Sequence, residues 1–438
     1  MRIGEVRAGL DRDAAGAAMY RGVQDLYPLC RSITGDGLRQ TLRYLAERAP
    51  LTLHEVPSGT QVLDWTVPNE WNIRDAYIAD SRGERVVDFR RSNLHVVNYS
   101  TPVRARMTLD ELAPHLHTLP AAPDWVPYRT SYYRETWGFC LSHRQMTALA
   151  EDEYEVCIDS TLGPGALSYG ECYLPGATPD EVLISCHVCH PSLANDNLSG
   201  VVLAMTLAAR LRECALRYSY RFLFIPGTIG SIAWLARNEA RVDRIKHGLV
   251  LACLGDRGAF TYKKSRRGEA EVDRVVAHVL QERGAEHRVE DFVPYGYDER
   301  QFCSPGFNLP VGCFMRTPHG RFPEYHTSAD DLSFVSPAAL AESLDTVLAI
   351  LEALEGNQRY LNQSPKGEPQ LGKRGLYRSM GGFAQGGVDE LALLWVLNLS
   401  DGEHSLLDIA RRSGRELGAI RRAADLLEAS GLLKELTT

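Results

Sequence analysis

Residues of the types that bind metal ions are concentrated in the segment 181–200, EVLISCHVCHPSLANDNLSG. An apolar run within it predicts a buried strand, and His187 and His190 lie where that strand ends. Asp196 comes just before VVLAMTLAARL, an apolar segment that predicts a buried helix. Imidazole from a strand end and carboxylate from a helix start can hold a divalent cation, and zinc binds such atoms at about 2.0–2.2 Å. The segment therefore predicts a metal site.

A catalytic zinc ion has three protein ligands and one open position, so a further ligand must come from a distant part of the chain. The best candidate is His326 in FPEYHTSADDL, where aromatic and carboxylate residues flank the histidine. The predicted ligands are thus Asp196, His326 and at least one of His187 and His190. The spacing alone leaves the choice between those two histidines open.

The elements that position these residues follow from the pattern of the whole chain. Residues 1–50 predict helices, residues 51–165 predict short strands between turns, and strands alternate with helices over residues 166–356. The predicted fold class is therefore α/β: residues 1–50 and 166–356 form a metal domain with a mostly parallel sheet, and 51–165 insert a small β-rich domain. Ligands of such sheets gather at the carboxyl ends of the strands, where both strand-end histidines fall.

The C-terminal part predicts a separate domain. Residues 357–371 predict a polar linker, and residues 372–438 predict a winged helix, with three helices, a Gly-bounded turn and a final apolar segment. Nine Lys/Arg and nine Asp/Glu lie between residues 371 and 438, so no basic recognition face is expected. Nucleic acid is disfavoured as a partner, and protein contact, including a homo-oligomer formed through the winged helix, is the preferred interpretation.

The composition is that of an ordinary globular protein, with 438 residues, 44% of them hydrophobic and 24% charged. A formal net charge of −8 also disfavours a polyanionic partner. The N-terminus lacks the apolar core of a signal peptide, and no stretch approaches the roughly 18–20 apolar residues of a membrane-spanning helix. Ten cysteines, mostly scattered singly, favour a reducing compartment. We therefore expect a cytoplasmic protein with no membrane partner.

Several motifs resemble those of a known family. NDNLSG, YGYDERQFCSPGFNLPVG and EYHTSADDL resemble the bridging-aspartate loop, a later cleft segment and the last metal histidine of the two-zinc aminopeptidases, whose relatives include glutamate carboxypeptidase and glutaminyl cyclase. DWTVPNEW, SNLHVVNYS, PYRTSYY, WGFC and CHPSLANDNLSG resemble a bacterial aminopeptidase-like subfamily with an inserted domain of unknown function and a C-terminal winged helix. The resemblance covers nearly the whole chain. It implies a three-layer zinc-aminopeptidase-like domain, and it favours His190 over His187 as the ligand.

The resemblance also implies a function. It indicates a zinc-dependent amide or peptide hydrolase of aminopeptidase type, with one or two zinc ions and a small peptide or aminoacyl conjugate as substrate. The loop that contains Asp298 and Arg300 lines the cleft in that family, which implies substrate binding. Without the resemblance, the same residues predict a turn held by local salt bridges.

One departure from the family pattern concerns catalysis. The glutamate that acts as general base in the aminopeptidases falls at Gly227 here, and the next residue is Thr228. Asp256, at the following strand end, and Glu324, two residues before His326, are candidate replacements. Both could also be ordinary surface carboxylates, and Asp256 could instead bind a second zinc ion. The alternative hypothesis is a catalytically silent binding or scaffold protein that retains the metal cleft.

Overall fold

The structure, a computed structural model, describes residues 1–376 and 389–436. The α-helices, in chain order, are α1 (Ile3–Ala8), α2 (Arg12–Leu26), α3 (Asp36–Ala46), α4 (Leu109–Leu112), α5 (His143–Thr147), α6 (Gly200–Leu211), α7 (Ile229–Asn238), α8 (Glu271–Arg283), α9 (Glu299–Phe302), α10 (Pro337–Gly356), α11 (Glu390–Leu399), α12 (Leu406–Ser413) and α13 (Leu417–Ala429).

The strands, in chain order, are β1 (Thr52–Pro57), β2 (Gln61–Val62), β3 (Trp65–Thr66), β4 (Glu70–Ala79), β5 (Arg85–Asp88), β6 (Val103–Thr108), β7 (Leu116–His117), β8 (Phe139–Cys140), β9 (Glu153–Gly163), β10 (Ala166–Leu174), β11 (Glu181–His187), β12 (Ser219–Ile225), β13 (Ile245–Leu251), β14 (Phe260–Lys263), β15 (His287–Glu290), β16 (Val311–Met315), β17 (Arg359–Asn362), β18 (Asp401–Ser405) and β19 (Leu433–Glu435). The chain divides into two units, residues 1–273 with 286–348 and residues 274–285 with 349–438.

An eight-stranded sheet forms the centre of the first unit, in the order β1-β10-β12-β11-β13-β16-β14-β15. The central neighbours β12, β11, β13 and β16 run parallel, whereas β1, β10 and β14 have antiparallel partners. Every residue of β11 and β12 is buried, as expected for strands covered on both faces, and this burial explains their apolar runs. The α/β class is confirmed, with a sheet that is parallel at its centre and mixed at its edges.

Helices of the first unit pack on this sheet. α6 contacts β10, β11, β12 and β13, α2 packs on α6, and α3 packs on β10. α2 begins at a capped end, since the Asp11 side chain accepts a hydrogen bond from Ala14 N at 3.0 Å. The N-terminal helices thus cover the sheet that the sequence assigned to them.

A second, four-stranded antiparallel sheet has the order β5-β4-β9-β6 and lies within the predicted insertion 51–165. Alternate residues of β9 are buried, among them Tyr154, Val156 and Ile158, as in an antiparallel sheet with one covered face. β1 differs from the expectation, because it pairs with β10 at the edge of the large sheet. Short alternating strands look alike in sequence, and only their distant pairing partners separate them.

The second unit contains helices α11, α12 and α13 and a three-stranded sheet in the order β18-β17-β19. The predicted linker 357–371 needs correction here, since its residues 359–362 form β17 and pair with both neighbours. Tyr360 is the one buried residue of β17, so the sequence shows no apolar alternation that would predict this strand. Residues 377–388 and 437–438, within the predicted winged helix 372–438, lie outside the described residues. Among the described helices, none is long and apolar enough to cross a membrane.

Candidate metal centre

Neighbouring parallel strands end at one edge of the large sheet. His187, the last residue of β11, is in register with Ile225 of β12, and Leu251 of β13 is in register with Phe314 of β16. The segments that leave these strands carry His190, Gly227, Cys253 and His319. Polar side chains from separate parts of the sequence therefore meet at the edge where α/β sheets bind ligands.

The polar residues of the NDNLSG motif fix the loop that carries Asp196. Asn195 Oδ1 accepts a hydrogen bond from Gly255 N at 2.8 Å, and Asn197 Nδ2 donates to Leu251 O at 3.0 Å. Ser199 Oγ donates to Asn195 O at 2.6 Å within the loop. All of these side chains are buried, so the bonds tie the loop firmly to the end of β13. The motif thus supplies three supporting residues and leaves the aspartate for other contacts.

Asp330 supports the same loop from its other side. Its carboxylate accepts hydrogen bonds from Asn195 N at 2.6 Å and from Asp196 N at 2.9 Å. Burial raises the pKa of Asp330 to about 8, although the two backbone donors oppose that shift. Asp330 therefore positions Asp196 through the backbone.

The carboxylate of Asp196 lies between three histidines. Its Oδ1 is 2.9 Å from His187 Nε2, and its Oδ2 is 3.0 Å from His326 Nε2 and 3.6 Å from His190 Nε2. Asp196 and His187 are fully buried, while 33% of the His326 side chain is exposed. The structure therefore brings the three predicted histidines to Asp196, and they divide between the two oxygens of its carboxylate.

Unpaired polar atoms and shifted pKa values mark this cluster. His190 Nε2, His326 Nε2 and Asp196 Oδ2 are buried and make no hydrogen bond to any described residue. Burial lowers the pKa of His190 well below its usual value, which favours a neutral ring with a free lone pair. Burial alone would raise the pKa of Asp196, but the neighbouring histidines hold it well below its usual value. Neutral imidazole and ionised carboxylate are the forms that bind zinc.

Cys253 and His319 form a second group with Asp196 that sequence reasoning missed. The ligand atoms of these three buried residues lie within 4.8 Å of one another, as do those of His187, His190 and Asp196. Burial raises the pKa of the Cys253 thiol well above its usual value, and the charge of Asp196 adds to that shift. Both residues could have been found from the sequence, because Cys253 and His319 follow the ends of β13 and β16. Ligands of α/β sheets gather at the carboxyl ends of the strands, which is the rule that located the strand-end histidines.

Aromatic side chains form one wall of the cluster. Tyr128 N donates to His326 O at 2.8 Å, and the Tyr128 ring centroid lies 5.2 Å from that of His190 and 5.1 Å from that of His326. Tyr325 stacks on His326 with centroids 4.0 Å apart. Since segment 126–128 also bonds Ser328, the inserted region holds the loop that carries His326.

Asp256 lies near the loop but outside the cluster. Its Oδ1 accepts from Gly258 N at 2.6 Å and from Thr317 Oγ1 at 2.8 Å, and its Oδ2 accepts from Asn195 Nδ2 at 3.0 Å and from Thr317 N at 3.3 Å. A carboxylate has about four acceptor sites, and these bonds use them. The geometry gives no support to Asp256 as a base or as a metal ligand.

The other predicted residues lie in different environments. Glu324 is half-buried in the turn that carries His326, and its carboxylate makes no hydrogen bond or ion pair within the described residues. Asp298 is fully buried, accepts a hydrogen bond from Ser231 Oγ at 2.8 Å, and has a pKa that burial raises to about 6. Arg300 is exposed to solvent. The two residues to which the family resemblance assigned substrate binding therefore differ in exposure, although both lie at the start of α9.

The profile of DUF4910, a domain of unknown function, matches residues 20–357. The chain belongs to the DUF4910 family. A winged helix-turn-helix family matches residues 358–435 of this DUF4910 protein, which agrees with the position of β17 and confirms the predicted C-terminal winged helix.

This DUF4910 protein is 53% identical, over 419 residues and 96% of each chain, to a Clostridium acetobutylicum protein named as a candidate polysaccharide biosynthesis protein with an aminopeptidase-like domain. A crystal structure of a candidate peptidase from the same organism matches with a TM-score of 0.94 at 50% identity, over 99% of each chain. A zinc aminopeptidase from Bacillus subtilis matches with a TM-score of 0.56 at 12% identity, over 77% of this chain and 94% of that one. The last likeness concerns the fold, and it confirms the predicted aminopeptidase-like architecture.

Proposed function

We propose that the protein is a zinc-dependent hydrolase of amide bonds, of aminopeptidase type, that acts on a small peptide or an aminoacyl conjugate. The observation that carries this proposal is the set of buried, unpaired ligand atoms around Asp196. Buried polar atoms without partners are rare in folded proteins and call for a specific explanation, such as a bound ion. A cluster of imidazole and carboxylate fits zinc better than magnesium or calcium, which take oxygen ligands.

The proposed ligands are His190, Asp196 and His326, with His187 on the other oxygen of Asp196. Cys253 and His319 offer further ligand atoms for a second ion, since they share Asp196 with the first group. A bound zinc ion polarises a carbonyl group and lowers the pKa of water to about 7, which is the chemistry that amide hydrolysis needs.

Glu324 is the carboxylate to which we assign proton transfer. It lies in the same turn as His326, two residues before it, and no described residue forms a hydrogen bond with its carboxylate oxygens, whereas those of Asp256 are occupied. In this role Glu324 accepts a proton from the attacking water and passes it to the leaving amine. Tyr128 and Tyr325 cover the histidines on one side and limit the access of bulk water there.

Two supporting observations concern the setting of the reaction. None of the ten cysteines, which all lie among the described residues, forms a disulfide, and this supports a reducing compartment such as the cytoplasm. The name of the Clostridium relative suggests an aminoacyl or acylamino group on a saccharide precursor as one form of the substrate.

The test is hydrolysis of a panel of dipeptides and aminoacyl p-nitroanilides by the zinc-loaded protein. His326→Ala should abolish turnover, and Glu324→Gln should lower it by about 10²- to 10⁴-fold with zinc still bound. Asp331→Asn is the matched control, because Asp331 is a carboxylate of the same loop, and among the described residues its hydrogen bonds come from Ser333. Turnover retained in His326→Ala would contradict the proposal.

A second candidate function is a catalytically silent protein that binds a ligand in the metal cleft. Gly227 favours it, because the strand end beside His187 supplies no carboxylate. In that case the zinc-loaded protein would hydrolyse none of the panel, although it would bind small zinc ligands.

A further inference from the structure

Gly227 leaves a space that another residue fills. A Cβ atom built on Gly227 would lie 1.8 Å from Cε1 and 2.6 Å from Cζ of Tyr297. Contacts this short are impossible, so the tyrosine ring occupies the position where a side chain of residue 227 would begin. The ring of Tyr297 can therefore occupy this place only because residue 227 has no side chain.

Tyr297 also lies against the proposed ligands. Its ring centroid is 3.9 Å from that of His187, 5.7 Å from that of His190 and 5.9 Å from that of His319. Its Oη is 3.5 Å from Cys189 Sγ and 3.4 Å from Gly227 O. The contact with Gly227 O is longer than the usual 2.5–3.0 Å of an O–H···O hydrogen bond, so the hydroxyl is not held by a strong acceptor.

A dedicated set of buried contacts fixes the backbone on both sides of this tyrosine. Lys263 Nζ donates to Tyr295 O at 2.6 Å and forms an ion pair with Glu299. Both oxygens of Glu299 accept from Tyr297 N, at 3.2 and 3.1 Å. The next residue, Asp298, accepts from Ser231 Oγ of α7 at 2.8 Å.

Burial of such an ion pair costs free energy unless its geometry is well satisfied. Lys263 is 5% exposed and Glu299 is fully buried, so this pair is removed from water. It holds the loop that contains Tyr297, whose ring lies against His187, whereas Tyr295 in the same loop is 67% exposed. The loop is thus built to place the tyrosine ring beside the histidines.

We propose that the Tyr297 hydroxyl donates a hydrogen bond to the carbonyl oxygen of the bound substrate, from the space that Gly227 leaves open. This inference rests on the proposed amide hydrolase function. A phenol ordinarily titrates near pH 10, so at neutral pH it is a donor and does not serve as the base. A donor aimed at an oxygen on which negative charge develops contributes about 10²- to 10³-fold to the rate of acyl transfer.

The probe is acetohydroxamate, a small ligand that combines a carbonyl oxygen with affinity for zinc and that needs no side-chain pocket. Its binding to the zinc-loaded, full-length protein is measured by isothermal titration calorimetry. Tyr297→Phe keeps the ring that fills the space beside Gly227 and removes only the hydroxyl. We expect binding at least ~10-fold weaker in this variant, with zinc content equal to that of the wild type.

Tyr295→Phe is the matched control, because it removes a hydroxyl from the same loop at an exposed position, and it should bind the probe as the wild type does. Equal affinity of Tyr297→Phe and wild type would overturn the proposal for Tyr297 and leave the proposed hydrolase function intact. Loss of zinc from Tyr297→Phe would also overturn it, since the tyrosine would then act on the ligands. Failure of the zinc-loaded wild type to bind the probe would contradict the proposed function itself, and this inference with it.

Discussion

Asp196 and Asp256 are both buried carboxylates in segments joined by Asn195 at the same edge of the large sheet. The oxygens of Asp256 receive four hydrogen bonds from nearby donors, whereas Asp196 Oδ2 receives none from the described residues and faces His190 and His326. Burial alone therefore does not distinguish a structural carboxylate from a candidate metal ligand. The difference lies in the groups around each carboxylate: amide, hydroxyl and backbone N–H donors surround Asp256, whereas ring nitrogens of three histidines surround Asp196.

The largest effect expected from this comparison is loss of metal in Asp196→Asn. The amide keeps the size of the side chain but removes the charge that two groups of ligands share. Zinc affinity should fall by more than the ~10- to 100-fold that loss of a supporting partner costs at such sites. Competition with a chromophoric chelator measures it, and zinc affinity equal to that of the wild type would remove Asp196 from the ligand set.

Asp256→Asn should give the opposite result. Its amide nitrogen would face the donors Gly258 N or Thr317 N, so charge-assisted hydrogen bonds are lost and one donor is left opposite another. The free energy of unfolding should fall by about 2–3 kcal/mol, measured by urea denaturation, with zinc content retained. If this variant loses zinc and keeps its stability, Asp256 is a ligand and the contrast with Asp196 fails.

Gly227→Ala extends the comparison to the strand end beside His187. The added methyl group would meet the Tyr297 ring, so we expect a destabilisation of about 1–3 kcal/mol from overpacking. In a Tyr297→Ala background the same substitution should cost little, because the space is then open. A thermal double-mutant cycle measures this coupling, and additive effects of the two substitutions would show that the residues do not compete for one space.

The smallest expected effect is a change in the free energy of unfolding with pH, measured first on the metal-free protein. Burial lowers the pKa of His190 in the cluster and of His247 outside it, so each binds fewer protons when folded than when unfolded. Stability should therefore be constant well above pH 6.5 and fall as the pH drops below it, by under ~1 kcal/mol for each histidine at pH 6. His247→Phe should reduce this slope with zinc bound or removed. A slope that the substitution leaves unchanged would exclude His247 as a source.

The sequence was sufficient to predict the candidate ligands that lie in one segment or carry a distinctive context. His187, His190 and Asp196 were predicted because a strand end and a helix start place them within a few residues, and His326 because aromatic and acidic residues flank it. Cys253, His319 and Tyr297 were missed, since they reach the site through the parallel pairing of β13 with β16 and through a loop held by Lys263.

The same reasoning explains the uncertain carboxylates and the strands that were misplaced. Asp256 was a reasonable candidate at a strand end, but its donor Thr317 is 61 residues away and is not visible from local sequence. β1 and β17 were assigned to an insertion and a linker because their partners β10, β18 and β19 lie far along the chain. Local sequence patterns predict elements and strand-end residues. The pairing of distant strands decides which of these side chains are occupied by hydrogen bonds and which can bind a metal ion.

The most direct test is the zinc content per chain of the full-length protein, purified without chelators, reconstituted with zinc and passed through gel filtration before elemental analysis. We expect at least about one zinc ion per chain in the wild type and in Asp256→Asn, and none in Asp196→Asn. Absence of zinc from the reconstituted wild type would show that the histidines around Asp196 are structural, and it would contradict the metal centre on which the proposed function depends.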